Sequence, residues 1–211
     1  MVELMSESDL IIRLNNAPAK ARPGLFLDRD GVVVENVHYL RRVEDIRLMP
    51  GISGIIELAR SFDMSVAVVT NQSGLARGLF NLATYHHVSD AIDAALLSEG
   101  RHIDISVACP FHPDKTPEYS AGHEWWRKPG PGMIHLVGAR YGVDLGRSWI
   151  IGDNLSDLEA GARAGLAGGI LLGQDPDIFP PWRLQSGFSA LACRSLDDAG
   201  TTLEDRLGYT G

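Results

Sequence analysis

Along the chain, short apolar runs alternate with longer stretches whose apolar residues fall at helical spacing. The runs are Gly24 to Leu27, Ser65 to Val69, Ile103 to Ala108, Ser148 to Ile151 and Gly169 to Leu172, and each ends at a polar or glycine-rich corner. Between them, Ile52, Ile55, Ile56, Ala59 and Phe62 mark one helical face, and Ala91, Ala94, Ala95 and Leu97 mark another. Met133, Leu136, Val137 and Tyr141 form a third, and Leu158, Ala162 and Leu166 a fourth. Strand followed by helix, repeated in this way, predicts an α/β fold with a parallel sheet covered by helices on both faces.

In such a sheet ligands collect beyond the carboxyl ends of the strands, where strand order reverses. The polar residues that close each run are therefore the candidates for chemistry: Asp28, Arg29 and Asp30; Thr70, Asn71 and Gln72; and Asp153, with Asp157 a helical turn later. Asp28 and Asp30 start on the same face of an extended strand end, and Gly31 lets the chain turn away. Carboxylates held together repel, which favours a bound cation or a shared proton. A hard divalent ion such as magnesium suits them, because it takes one or two protein carboxylates and keeps water and substrate phosphate as its other ligands.

Phosphoryl transfer also needs donors that hold the phosphoryl oxygens and a cation that offsets their charge. Thr70 and the backbone amides of Asn71 and Gln72 suit the first task, and Lys128, between Arg127 and Pro129, suits the second. Asp157 reads as a structural or capping residue.

Composition narrows the partners. The chain has 211 residues, 45% of them hydrophobic, enough for one substantial core, and no repeat or linker-like block divides it. A single domain over 1–211 is expected, and monomer is the default. A formal net charge of -8 argues against a nucleic-acid or anionic-membrane surface. The N-terminus, MVELMSESDLIIRLNN, lacks the basic-then-apolar plan of a secretory signal, and no stretch approaches the ~20 apolar residues that span a bilayer. Two distant cysteines, Cys109 and Cys193, fit a reduced compartment, so a cytoplasmic location is expected.

The elements DRDGV at 28–32, TNQSGLARG at 70–78, RKPGPGM at 127–133 and GDNLSDLEAG at 152–161 together resemble the haloacid dehalogenase superfamily. They look like the branch of that family containing the heptose 1,7-bisphosphate and histidinol-phosphate phosphatases. The resemblance spans about 23–173, leaving 1–22 as an N-terminal extension and 174–211 as a C-terminal segment. It implies a Rossmann-like fold without a large cap domain, and a magnesium-dependent phosphatase acting on a small phosphorylated metabolite such as a sugar phosphate. Asp28 would attack phosphorus, and Asp30 would serve as acid and then base. Thr70 and Asn71 would hold phosphoryl oxygens and Lys128 would steady charge. Asp28, Asp153 and the Asp30 carbonyl would bind magnesium. Arg127 would contact substrate phosphate, while Tyr39, Arg41 and Arg77 in short loops would select the leaving group.

The branch commonly holds a structural zinc in the loop before the Arg-Lys pair, through Cys-x-His and Cys-x-Cys. Here the matching positions are Cys109, Phe111, Glu124 and Trp126, so a zinc site of that plan is expected to be absent. His112 and His123 read as ordinary loop histidines, with Phe111, Trp125 and Trp126 anchoring the loop by packing. Two other classes deserve comparison. A phospho-acceptor signalling domain needs a long-lived acyl-phosphate and gains nothing from Asp30, and a silent phospholigand-binding relative would not keep Asp28, Asp30, Lys128 and Asp153 together.

Overall fold

The computed structural model describes residues 10–15, 21–175 and 187–208; the rest of the two terminal segments lies outside the described residues. Its elements are β1 (Ile11–Leu14), β2 (Arg22–Leu27), α1 (Ile52–Ser61), β3 (Ser65–Asn71), α2 (Ser73–Ala76), α3 (Leu82–Ser98) and β4 (Ile105–Cys109). They are followed by α4 (Ala121–Trp126), α5 (Gly132–Tyr141), β5 (Val143–Gly152), α6 (Leu155–Arg163), β6 (Gly168–Leu172), β7 (Ser189–Cys193) and α7 (Leu196–Gly208). One seven-stranded sheet runs in the order β1-β4-β3-β2-β5-β6-β7, with only β1 antiparallel to its neighbour.

Alternation along the strands divides the core. Leu25 and Leu27 face α1, α3 and α7, while Phe26 between them faces α5 and α6. On α1, Ile52, Ile55 and Ile56 are all buried, each side chain contributing about 1.5–3 kcal/mol relative to exposure. Helix α3 departs from the expected face: Tyr85, Val88, Ile92 and Leu96 are buried, whereas Leu97 is 67% exposed. The alanines gave no strong apolar signal of their own, and the larger residues one position away set the inward side.

Both ends of the chain enter the sheet beyond the expected core. β1 pairs with β4 through Ile11↔Ala108 to Leu14↔Ile105, and β7 pairs with β6. Neither strand was expected from its sequence, because each is a four- or five-residue edge strand with few fully buried positions. Among the described residues no helix is long and apolar enough to cross a membrane.

The site follows from the strand order. The chain begins its parallel pairing at β2, extends to β3 and β4 on one side, then returns to place β5 and β6 on the other. The reversal lies between β2 and β5, so the residues after Leu27 and after Gly152 border the same crevice.

Candidate active site

Three strand ends and one helix start converge there. Asp28 follows β2, and its Oδ1 accepts from the Arg29 backbone N–H at 2.7 Å and from Lys128 Nζ at 2.9 Å. Lys128, just ahead of α5 and 4% exposed, also donates to Val69 O at 2.7 Å and forms an ion pair with Asp157 Oδ1 at 2.6 Å, so its charge is met by two carboxylates. Asp157 is fully buried in α6, where its Oδ2 accepts from Asn154 N at 3.0 Å in a capping box. The expected capping role is therefore present, but the same carboxylate is the lysine's shortest partner, a second role that sequence spacing alone did not suggest.

Two glycines make room for these carboxylates. Gly31 has φ +87, and a Cβ there would lie 2.2 Å from Asp153 Oδ2. A Cβ on Gly152 would lie 2.2 Å from Asp157 Cβ. Asp153 itself accepts from Asn36 Nδ2 at 3.4 Å.

Among the described residues, Asp28, Asp153 and Asp157 are the group whose ligand atoms all lie within 4.8 Å of one another. Three carboxylates against one ammonium leave two negative charges uncompensated when all are ionised. Burial pushes Asp28 up to about 6; Lys128 opposes the shift, and Asp157 and Asp30 add to it. Asp153 is also raised, by burial and then by Asp28. Burial alone would lower Lys128, but Asp157 and Asp28 more than reverse that and hold it protonated. The positive charge is thus secure, and the deficit falls on the carboxylates. A hard divalent cation with oxygen ligands would answer that deficit, and with Asp157 fully buried against Lys128, the partly exposed Asp28 and Asp153 are the side chains that could hold it.

Asp30 is held by a different set. Arg29 Nε and Nη2 donate to its Oδ1 at 3.2 and 3.0 Å, Nη2 reaches Oδ2 at 2.9 Å, and Gln72 Nε2 donates to Oδ2 at 2.8 Å. Gln72 also donates to Thr70 Oγ1 at 2.9 Å and accepts from Arg29 at 3.0 Å. The Gln72 backbone N–H, expected as a phosphate donor, is bonded to Cys109 O at 2.8 Å. Arg29 and Gln72 stand among the strand-end candidates in the sequence, but the motifs assign no task to their side chains, which here hold Asp30.

Asn71 bonds the Lys128 backbone in both directions, donating to its O at 3.0 Å and accepting from its N at 3.1 Å. Its side-chain amide therefore fixes the lysine's main chain rather than standing open to a phosphoryl group. Asp30, Asn71, Gln72 and Tyr39 line a cavity of about 210 Å³. Arg41 instead lines a wider neighbouring groove of about 730 Å³ with Arg42, Leu75 and Phe80. Arg77 and Arg127 sit in the long-loop region: Arg77 Nη2 lies 2.7 Å from His112 Nε2, and Arg127 donates to Phe111 O at 2.9 Å. In that loop, Phe111 meets the His123 ring edge-on at 4.4 Å and Tyr119 stacks on it at 5.1 Å. Cys109 is buried, which pushes its thiol up to about 11.

An α/β sheet that gathers acidic side chains from two strand ends around a buried lysine defines a hydrolase of phosphoryl-transfer type. Comparisons with known proteins place it further. Residues 125–174, which carry Lys128, Asp153 and Asp157, match the HAD-hydrolase-like family model. The D-glycero-beta-D-manno-heptose-1,7-bisphosphate 7-phosphatase of Rhodopseudomonas palustris is 41% identical over 164 residues, covering 77% of this chain and 91% of that one. The crystal structure of a HAD-like phosphatase candidate from Mesorhizobium loti superposes with TM-score 0.82 at 33% identity, covering 99% of this chain and 97% of the other. That of the D,D-heptose 1,7-bisphosphate phosphatase of B. bronchiseptica, complexed with magnesium and phosphate, gives 0.71 at 34% identity, over 87% and 99%. The chain belongs to the haloacid dehalogenase-like hydrolases, among the phosphatases of that family.

Proposed function

We propose that this phosphatase is magnesium-dependent and removes one phosphate from a heptose 1,7-bisphosphate through an aspartyl-phosphate on Asp28. The observation that carries the reading is the placement of Asp28 against Lys128 at 2.9 Å, with Asp153 and Asp157 in the same cluster. Asp28 attacks phosphorus and the ester oxygen leaves with a proton from Asp30; Asp30 then draws a proton from the water that hydrolyses the acyl-phosphate. Lys128 offsets the charge gathering on the phosphoryl oxygens, and Thr70 Oγ1 donates to one of them. Asn71 and Asp157 hold the lysine in place. Asp28, Asp153 and the Asp30 carbonyl would hold magnesium, which would supply neutralising charge for the substrate phosphate.

The heptose bisphosphate rests on the relatives, and Arg77 and Arg127, beside His112 and Phe111 of the long loop, are the cations assigned to its second phosphate, with Tyr39 in the cavity. Histidinol phosphate is the alternative within the same chemistry. In this reading the loop from Cys109 to Trp126 is anchored by Phe111, His123 and Tyr119 instead of zinc, and the chain acts in the cytoplasm as a single-domain monomer. A panel of phosphorylated sugars and amino alcohols, assayed with magnesium and again with chelator, tests the proposal through kcat/KM. Heptose 1,7-bisphosphate should lead the panel by at least tenfold and chelation should abolish turnover; equal efficiency across the panel, or full activity in chelator, would refute it.

A further inference from the structure

We infer that Arg29 and Gln72 are positioning residues that orient Asp30 for proton transfer and at the same time set the direction of the Thr70 hydroxyl. The inference rests on the acid and base role given to Asp30 above. Its basis is that the Gln72 amide has no freedom left. One N–H goes to Asp30 Oδ2 at 2.8 Å, the other to Thr70 Oγ1 at 2.9 Å, and the carbonyl accepts from Arg29 at 3.0 Å. Rotating the amide by half a turn would set its carbonyl oxygen against a carboxylate and its N–H groups against a guanidinium. The network therefore admits one orientation.

That orientation has two consequences. Because Thr70 Oγ1 already accepts from Gln72, its own proton is turned away from that amide and left for another acceptor. Asp30, gripped at both oxygens by Arg29 and at Oδ2 by Gln72, cannot swing freely, yet its side chain keeps 24% of its exposure and lines the cavity. A carboxylate held this way is placed for proton exchange with the reacting oxygens without a search over rotamers, which is where proximity lowers a barrier. Arg29 is itself fixed, 5% exposed with its guanidinium carbon 5.7 Å from the Tyr85 ring centroid.

A residue that only supports the fold would lower all reactions alike, whereas one that aims a general acid matters most where the leaving group needs a proton. The test compares kcat/KM for 4-nitrophenyl phosphate and for an alkyl sugar phosphate in Gln72→Leu, Gln72→Glu and Asp30→Asn, with circular dichroism confirming the fold. Arg29→Lys serves as a further variant, retaining charge but losing the two-pronged grip. In Gln72→Leu and Gln72→Glu the alkyl substrate is expected to lose about tenfold or more beyond any loss on the aryl substrate. Equal losses on both substrates in the Gln72 variants, with Asp30→Asn still discriminating, would overturn the positioning role alone. Equal losses in Asp30→Asn as well would instead strike at the acid assignment beneath it.

Discussion

Replacing Asp28, the proposed nucleophile, should make the metal-free protein more stable, not less. In the folded chain Asp28 titrates at about 6 against an ordinary value of 3.8, because burial and neighbouring carboxylates outweigh Lys128. Between those two values the folded state binds the proton more tightly than the unfolded chain, so stability falls as pH rises through that window and is flat above it. That rise from 3.8 to about 6 corresponds to roughly 3 kcal/mol at most. Asp28→Asn keeps an acceptor for the Arg29 N–H and for Lys128 while removing the charge, so it recovers part of that cost. At about 2–4 °C per kcal/mol for a chain of this size, the variant should melt a few degrees above wild type at pH 8 in chelator, and about equal to it at pH 4. Differential scanning calorimetry with and without magnesium supplies the check. Added magnesium should raise the wild-type melting temperature by mass action and leave the variant nearly unmoved. A variant that melts at or below wild type at pH 8 without metal would refute the claim that the site carries surplus negative charge awaiting a cation.

Other perturbations should separate the parts of the site. Asp157→Leu removes the lysine's 2.6 Å partner and the α6 cap together, and should cost about 3 kcal/mol or more in urea unfolding, opposite in sign to Asp28→Asn; an unchanged midpoint would argue against the buried pair. Gly31→Ala puts a Cβ 2.2 Å from Asp153 Oδ2 at φ +87, so the magnesium concentration giving half-maximal activity should rise at least about tenfold, which a metal titration would detect or exclude. His123→Ala takes the central ring from the Phe111 and Tyr119 stack, and should raise KM for a bisphosphate more than kcat falls, since Arg127 is tethered to Phe111 O; the reverse split would place the loop's role in the chemistry instead.

Much of the fold was legible because parallel strands buried on both faces write continuous apolar runs, as Ser65 to Val69 and Gly169 to Leu172 do. The edge strands β1 and β7 were not, since an edge needs only partial burial and leaves a weak pattern. In the site, Asp28, Lys128 and Asp153 stood at strand ends or a helix start and were visible there. Asp157 reads as a cap in the sequence; that the cap also meets Lys128 depends on how α6, packed on β5, comes to face the segment ahead of α5, which is a tertiary fact. The interlock of Arg29, Asp30, Gln72 and Thr70 likewise requires β2 and β3 to be adjacent, and adjacency is not written in either segment. Asn71 has a role that its strand-end position did not suggest: its side chain bonds the Lys128 backbone in both directions.

The most direct trial is to catch the enzyme mid-turnover. Rapid acid quenching of a reaction with a phosphorylated sugar, followed by borohydride reduction and peptide mass spectrometry, converts an aspartyl-phosphate into homoserine at the residue that carried it. Homoserine at position 28, absent when substrate is omitted, is the predicted result. Steady turnover with no modified aspartate, or a modification at Asp30, Asp153 or Asp157 instead, would contradict it.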